Sequence, residues 1–186
     1  MTFPSESLPF SGNSYGSITI RPVQKSDLNQ ILALNQASVP AVGSCQIEEI
    51  EYYFQQSHYF PVLVSQRDQK VIGFLIALPH GLGYQSINYR WFSERYDNFF
   101  YVDRVAIQAE YRGGGIGKAI YRHLFDFAEK KSETRVTLEV NSRPMNKVSQ
   151  QFHRLLGFVP VGSQDTENGT KTVTLMVKEL PAFSSL

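Results

Sequence analysis

The sequence predicts an α+β fold: a mixed, mostly antiparallel sheet with a parallel strand pair at its centre and helices on both faces, a three-layer α/β/α arrangement. Three observations predict it. The 186 residues are 42% hydrophobic and 19% charged, which is enough apolar matter for one sizeable core and too much for a disordered chain. The apolar spacing marks strands and helices in the order β-α-α-β-β-β-α-β-α-β-β. A strand, helix, strand crossover stands in the middle of that order, and a crossover demands a parallel pair where hairpins elsewhere give antiparallel ones.

Residues 1–16 carry Pro4, Pro9, Gly12 and several serines, and read as a loose tail ahead of a single domain over residues 17–181. Ser17 to Val23 alternates and opens the fold as a strand. Ser26 caps a helix bearing Leu28, Ile31, Leu32 and Leu34, ending near Ala37. Pro40 and Gly43 break the chain before a second helix, Gln46 to Gln56, with Ile47, Ile50 and Phe54 on one face. A hairpin follows, Phe60 to Gln66 and Val71 to Leu78 around Arg67, Asp68 and Gln69. Residues 79–98 follow no clean period and hold Tyr84, Tyr89, Trp91, Phe92 and Tyr96. They read either as an aromatic flap or short helix over the core, or a dimer contact, or as one wall of a substrate pocket. Phe99 to Ile107 is apolar almost throughout, as a central buried strand should be. Glycines follow, then a helix from Ile116 to about Lys131. Arg135 to Val140 is a strand with Val136, Leu138 and Val140 on one face and Thr137 and Glu139 on the other. Met145 to Leu156 is a helix stopped by Gly157, with Val148, Phe152, Leu155 and Leu156 as its core stripe. Phe158 to Gly162 and Lys171 to Glu179 form the last strand pair.

Composition excludes several classes. Eighteen basic against 17 acidic residues give a net charge of +1, which removes the electrostatic case for a nucleic-acid partner. One cysteine, Cys45, excludes a disulfide framework and a multi-cysteine zinc site, and fits a reducing cytoplasm. His58, His80 and His123 lack spaced partners, so no metal is expected. No run approaches a membrane span, and MTFPSESLPF has no basic n-region or apolar core of a secretory signal, so a cytoplasmic chain away from membranes is expected.

The informative segment is Tyr111-Arg112-Gly113-Gly114-Gly115-Ile116-Gly117-Lys118, between a buried strand and a helix. Amides at a helix start lack internal partners, the helix dipole adds positive charge, and glycines let an anion approach the backbone closely. That predicts a phosphate or pyrophosphate site. A P-loop fails because Arg112 and Ala119 stand where glycine and Ser or Thr are required. The dinucleotide pattern fails because Lys118 or Ile120 stands where its last glycine belongs.

Strand, then Arg112-x-x-Gly115-x-Gly117, then helix resembles the pyrophosphate-binding motif of the GCN5-related N-acetyltransferase (GNAT) superfamily. Asn146 to Phe158 (NKVSQQFHRLLGF) resembles a second motif of that family, and the element order over roughly residues 17–180 agrees. The resemblance implies a GNAT-like fold and an enzyme that moves the acetyl group of acetyl-CoA, its cosubstrate, directly to a primary amine of a small molecule or peptide. It implies that the backbone of Val105, Ala106 and Ile107 pairs with the pantetheine arm, that Gly113, Gly114, Gly115, Ile116, Gly117 and Lys118 hold the pyrophosphate, and that Asn146 contacts the cofactor. Arg112, Lys118 and Lys147 could add charge near the phosphates, or be solvated surface charges.

The chemistry also asks for a base and a proton donor. Where the family usually offers a tyrosine, this chain has His153. Asn146, Ser149 and His153 lie on one polar stripe, so His153 is either a proton donor to the leaving thiolate or a helix histidine with no role. Glu139 and Asp103 are rival bases, with a water chain as the third choice. The flap and the last strands are candidate surfaces for a homodimer. A non-catalytic acyl-CoA-binding sensor or assembly module is the alternative function.

Overall fold

The computed structural model describes residues 3–8 and 16–181. Among the described residues eight strands and five helices follow in the order β1 (Glu6–Leu8), β2 (Ile18–Pro22), α1 (Leu28–Ala37), α2 (Ile47–Gln56), β3 (Pro61–Ser65), β4 (Val71–Pro79), α3 (Ile87–Ser93), β5 (Phe100–Ile107), α4 (Ile116–Lys130), β6 (Arg135–Arg143), α5 (Lys147–Leu155), β7 (Val159–Thr166) and β8 (Lys171–Glu179). The strand order is β1-β2-β3-β4-β5-β6-β8-β7. It is the mixed α+β class that the sequence predicts. Two compact units divide the chain: Met1–Leu78 with Arg104–Leu124, and Pro79–Asp103 with Phe125–Leu186.

In the first unit β1 to β4 pair antiparallel in sequence. The tail expected over residues 1–16 is sheet at Glu6–Leu8, which pairs with Ile18–Ile20. Phe3 stacks on the Tyr59 ring; residues 1–2 and 9–15 lie outside the described residues. Every residue of β3 and β4 is buried, as unbroken apolar runs require. Ser26 does not cap α1. Instead Asp27 accepts the Gln24 N–H at 2.7 Å and pairs with both Arg21 nitrogens, at 2.7 and 2.9 Å. The last part of β5 lies along β4: Gln108 N–H donates to the Ile72 carbonyl, and a Cβ on Gly73 would stand 3.1 Å from the Ala106 oxygen.

In the second unit β6 and β8, then β8 and β7, pair antiparallel, while β5 and β6 pair in parallel through Phe100↔Val136 and Tyr101↔Thr137. Helical residues cover both faces of this part of the sheet. Phe100 stacks on Phe127 of α4 on one face, and Tyr101 meets Tyr89 and Phe92 of α3 on the other. The segment 79–98 therefore contains a short helix over the core, one of the readings its sequence leaves open. Only seven residues long, it starts where Ser86 Oγ accepts the Tyr89 N–H, and Tyr89 and Phe92 point inward one turn apart. Trp91 presses on β7 where Gly162 leaves room; a Cβ there would meet the indole at 2.8 Å.

The face of α5 is a correction. Val148 is 81% and Leu155 70% exposed, whereas His153 is 5% exposed. Of the expected apolar stripe Val148 and Leu155 face outward while Phe152 and Leu156 are half-buried, and on the expected polar stripe His153 is buried while Asn146 and Ser149 are half-buried. Ser149 and Gln150 make this workable, since Gln150 Nε2 donates to the Asn141 carbonyl and Ser149 receives the histidine.

Candidate active site

Two groups of residues carry chemistry, one in each unit. The first is the strand end Val105-Ala106-Ile107 and the glycine turn behind it. After Ile107 the chain makes one tight turn, Ala109–Tyr111, and Arg112 Nε ties it back by donating to the Ile107 carbonyl at 2.8 Å. Gly113 and Gly115 then adopt φ of +85° and +86°, a left-handed backbone that side-chain-bearing residues avoid. The exposed glycines 113–115 have open space where a Cβ would project. Ala119 N–H donates to Gly115 O at 3.0 Å as the first bond of the α4 ladder, so the amides of Ile116, Gly117 and Lys118 precede that ladder. A turn opened by two left-handed glycines at the positive end of a fifteen-residue helix is a cradle for an anion of pyrophosphate kind. Arg112 is thus tied to the strand end, while Lys118 is exposed beside the amides.

The second group lies in the other unit, on the face covered by α3. The parallel ladder holds at Phe100 and Tyr101, and no further β5–β6 pair joins Val102 or Asp103 to Leu138 or Glu139. Tyr101 and Asp103 on β5 share one face by the two-residue period, as do Thr137 and Glu139 on β6. Tyr101 OH donates to Glu139 Oε2 at 2.8 Å and Tyr84 OH to Asp103 Oδ1 at 2.6 Å. The rings stack into one block, with Tyr84–Tyr89 at 5.6 Å and Tyr89–Tyr101 at 5.5 Å between centroids. Tyr89 fixes the loop below it, donating to the Pro79 carbonyl at 2.7 Å while accepting the Leu82 N–H at 2.9 Å.

Electrostatics follow from this enclosure. Burial first, and then the Asp103 charge, push the Glu139 carboxyl up from 4.5 to about 7, against the hydrogen bonds of Tyr101 and Asn88 that pull it down. Burial and the two carboxylates hold the Tyr101 hydroxyl well above its ordinary 10.0, so it remains a donor. A carboxyl that titrates near neutrality can take a proton from an amine and release it again.

The predicted residues fare differently. Glu139 and Asp103 come together in one cluster, and Val105 to Lys118 form one continuous strand-end and turn. Asn146 is the N-cap of α5: its side-chain oxygen accepts the Ser149 N–H at 3.0 Å. His153 is packed between the Phe152 and Phe158 rings, and its Nδ1–H donates to the Ser149 carbonyl at 2.8 Å. Burial lowers its pKa from 6.5 to about 4, against the Ser149 bond. The same Nδ1 lies 3.2 Å from Ser149 Oγ, so the ring is held against the preceding turn of its own helix. Asn88 and Tyr101 are the residues of this cluster that the sequence reading does not single out, and Tyr84 is one that it places only in a possible pocket wall. For Tyr101 a signal existed, since it stands two residues before Asp103 and so shares its face. For Asn88 none did, and for Tyr84 only the aromatic content of the segment, because their position depends on how residues 79–98 fold back.

Comparison with known proteins agrees with this geometry. Residues 28–158 match the model of the acetyltransferase (GNAT) family. A Bacillus subtilis (strain 168) protein named "Putative ribosomal protein bS18-alanine N-acetyltransferase" is 29% identical over 79 residues, covering 41% of this chain; the match spans about half (51%) of that relative. The crystal structure of the ribosomal-protein-S18-alanine N-acetyltransferase from Escherichia coli superposes with a TM-score of 0.68 at 18% identity, over 91% of this chain and 98% of that one. Arabidopsis thaliana NAA60 in complex with acetyl-CoA gives 0.69 at 18% identity, over 87% and 98%. Among the described residues no helix is long and apolar enough to cross a membrane. With the family match running from α1 through α5 and the fold shared over nearly whole chains, this protein belongs to the GNAT family of acetyltransferases.

Proposed function

We propose that the protein transfers the acetyl group of acetyl-CoA directly to a primary amine, that the acceptor is the N-terminal amine of a peptide or protein, and that Glu139 is the general base. The observation that carries the base assignment is Glu139 itself: a carboxyl titrating at about 7, held at one oxygen by a tyrosine, where the β5–β6 ladder ends. The peptide acceptor is supported by the names of the relatives, two of which refer to acetylation of an alanine of a ribosomal protein.

The residues divide the work as follows. The Gly113–Lys118 amides hold the pyrophosphate, with Lys118 adding charge and Arg112 keeping the turn against β5. The backbone of Val105, Ala106 and Ile107 aligns the pantetheine arm. Asn146 shapes the start of α5, from which Lys147 projects into solvent. Bound acetyl-CoA supplies an activated acyl carbon and a thiolate leaving group. Tyr101 donates to Glu139 Oε2, and the Glu139 carboxylate receives the amine's proton. Asp103, engaged by Tyr84, raises the affinity of Glu139 for that proton. Residues 17–181 act as one catalytic domain, and the lone Cys45 fits a cytoplasmic setting.

The test is thiol release from acetyl-CoA across a panel of alkyl amines and short peptides with unblocked N-termini. Release is expected with N-terminal amines, and Glu139→Gln should slow it by about 100-fold or more. Acetyl-CoA binding without release on any amine would overturn the enzyme and leave an acyl-CoA-binding module.

A further inference from the structure

The carboxylate cluster contains one polar atom that nothing serves. Asn88 is on α3 and only 7% exposed, and its Oδ1 has no hydrogen-bond partner. The same side chain hydrogen-bonds the Glu139 carboxylate, and to an acceptor it can do so only through its NH2. A primary amide is one flat group, so the orphaned oxygen sits beside that contact, next to Glu139. Enclosed carbonyl oxygens without a donor are rare in folded proteins because they lose their hydration and gain nothing.

The surroundings say what would fill the deficit. Asp103 and Glu139 are acceptors when ionised, and their hydroxyl donors, Tyr84 and Tyr101, each supply one proton. Three acceptors from three segments, β5, β6 and α3, call for a cation with several N–H groups. A primary alkylammonium has three.

We propose that Asn88, Asp103 and Glu139 form the subsite that receives the acceptor's amine in its ammonium form, and that the 79–98 segment is the acceptor-recognition element because it delivers Asn88. The inference rests on the acetyltransferase reading. The ammonium gives one N–H to Asn88 Oδ1 and transfers one proton to Glu139, becoming R–NH2. Its nitrogen then forms the C–N bond to the acyl carbon as the C–S bond breaks. The second departing amine proton ends on the coenzyme A sulfur, and Glu139 returns the first to solvent. The sum is R–NH3⁺ plus acetyl-CoA giving the amide, coenzyme A and one proton.

The experiment compares wild type, Asn88→Ala and Asn88→Ser with the best peptide acceptor from the amine panel, using ethylammonium chloride and tetramethylammonium chloride as probes. In the wild type ethylammonium should be acetylated or compete with the peptide, while tetramethylammonium, which has no N–H, should do neither. Asn88→Ala should raise the peptide KM about tenfold, as loss of one hydrogen bond to a charged group does, with the acetyl-CoA Kd within about twofold of wild type. Asn88→Ser, which keeps a small acceptor, should fall between and guards against a misfolded alanine variant. An unchanged peptide KM in both variants, equal action of the two ammonium salts, or a parallel loss of acetyl-CoA binding in both variants overturns the subsite while the enzyme reading stands. Acetyl-CoA binding with no acetylation of any amine removes the enzyme reading, and this subsite with it.

Discussion

Replacing Glu139 by glutamine should make the protein more stable at alkaline pH while disabling it. The Glu139 carboxyl is raised from 4.5 to about 7 by burial and by Asp103. Between those values the folded state binds a proton that the unfolded chain does not, so stability falls as pH rises through this window. At about 1.4 kcal/mol per pH unit the ionised carboxylate withholds about 3 kcal/mol once the pH is above the folded value. Glutamine keeps the shape and still accepts from Tyr101 OH, but it has no proton to lose. Urea unfolding of both proteins at several pH values is the assay. The variant's advantage should be small below the unfolded carboxyl's range, grow between pH 4.5 and about 7, and level off beyond. For a chain of this size a difference of about 3 kcal/mol moves Tm by roughly 6–12 °C. Parallel stability curves for the two proteins would refute the reasoning, because a carboxylate whose charge costs nothing on folding is not enclosed as described.

Three further outcomes follow from the geometry. Gly115→Ala forces a φ of +86° on a residue with a Cβ; it should cost about 1–2 kcal/mol in the turn and weaken acetyl-CoA binding about tenfold by calorimetry, with Glu139 titration unaffected. His153 should titrate near pH 4 rather than 6.5 in a ring-carbon NMR experiment; its neutral form stabilises the fold above pH 6.5, and that contribution is lost as pH falls toward 4. His153→Phe should accordingly leave the alkaline limb of the rate profile in place, and a moved limb would restore His153 as the proton donor.

The legible parts of this fold are those decided within a few residues. The strands Pro61–Ser65 and Val71–Pro79 declare themselves because every position is apolar and buried. The crossover from Phe100 through the glycine turn to Arg135 declares itself because a strand, a break and a helical period follow one another in sequence. The end of α5 was legible too, since Gly157 takes φ of +90° just past it. Less legible were elements whose stability comes from elsewhere in the chain. Glu6–Leu8 is a strand only because Ile18–Ile20 lies beside it. The helix Ile87–Ser93 is too short to nucleate alone and stands because Tyr89 and Phe92 are packed on Phe99 and Tyr101. The periodicity of α5 misled for the same reason: Val148 and Leu155 belong to an apolar stripe on paper yet are exposed, whereas His153 is buried on the Ser149 carbonyl of its own helix and Gln150 donates to the Asn141 carbonyl of β6.

By itself, then, the sequence determined the glycine turn proposed to hold the pyrophosphate and the presence of two acidic residues on neighbouring strands. Backbone conformation at consecutive glycines and side-chain alternation along a strand are local properties, written in nearest-neighbour sterics. Only the tertiary structure decided the surroundings of those acids. Burial, the Asp103 charge, the Tyr101 hydroxyl and the amide of Asn88 set the proton affinity of Glu139, and the three side chains reach it across gaps of tens of residues. Electrostatic environment is a sum over everything nearby in space, and nearness in space is what folding adds to a sequence.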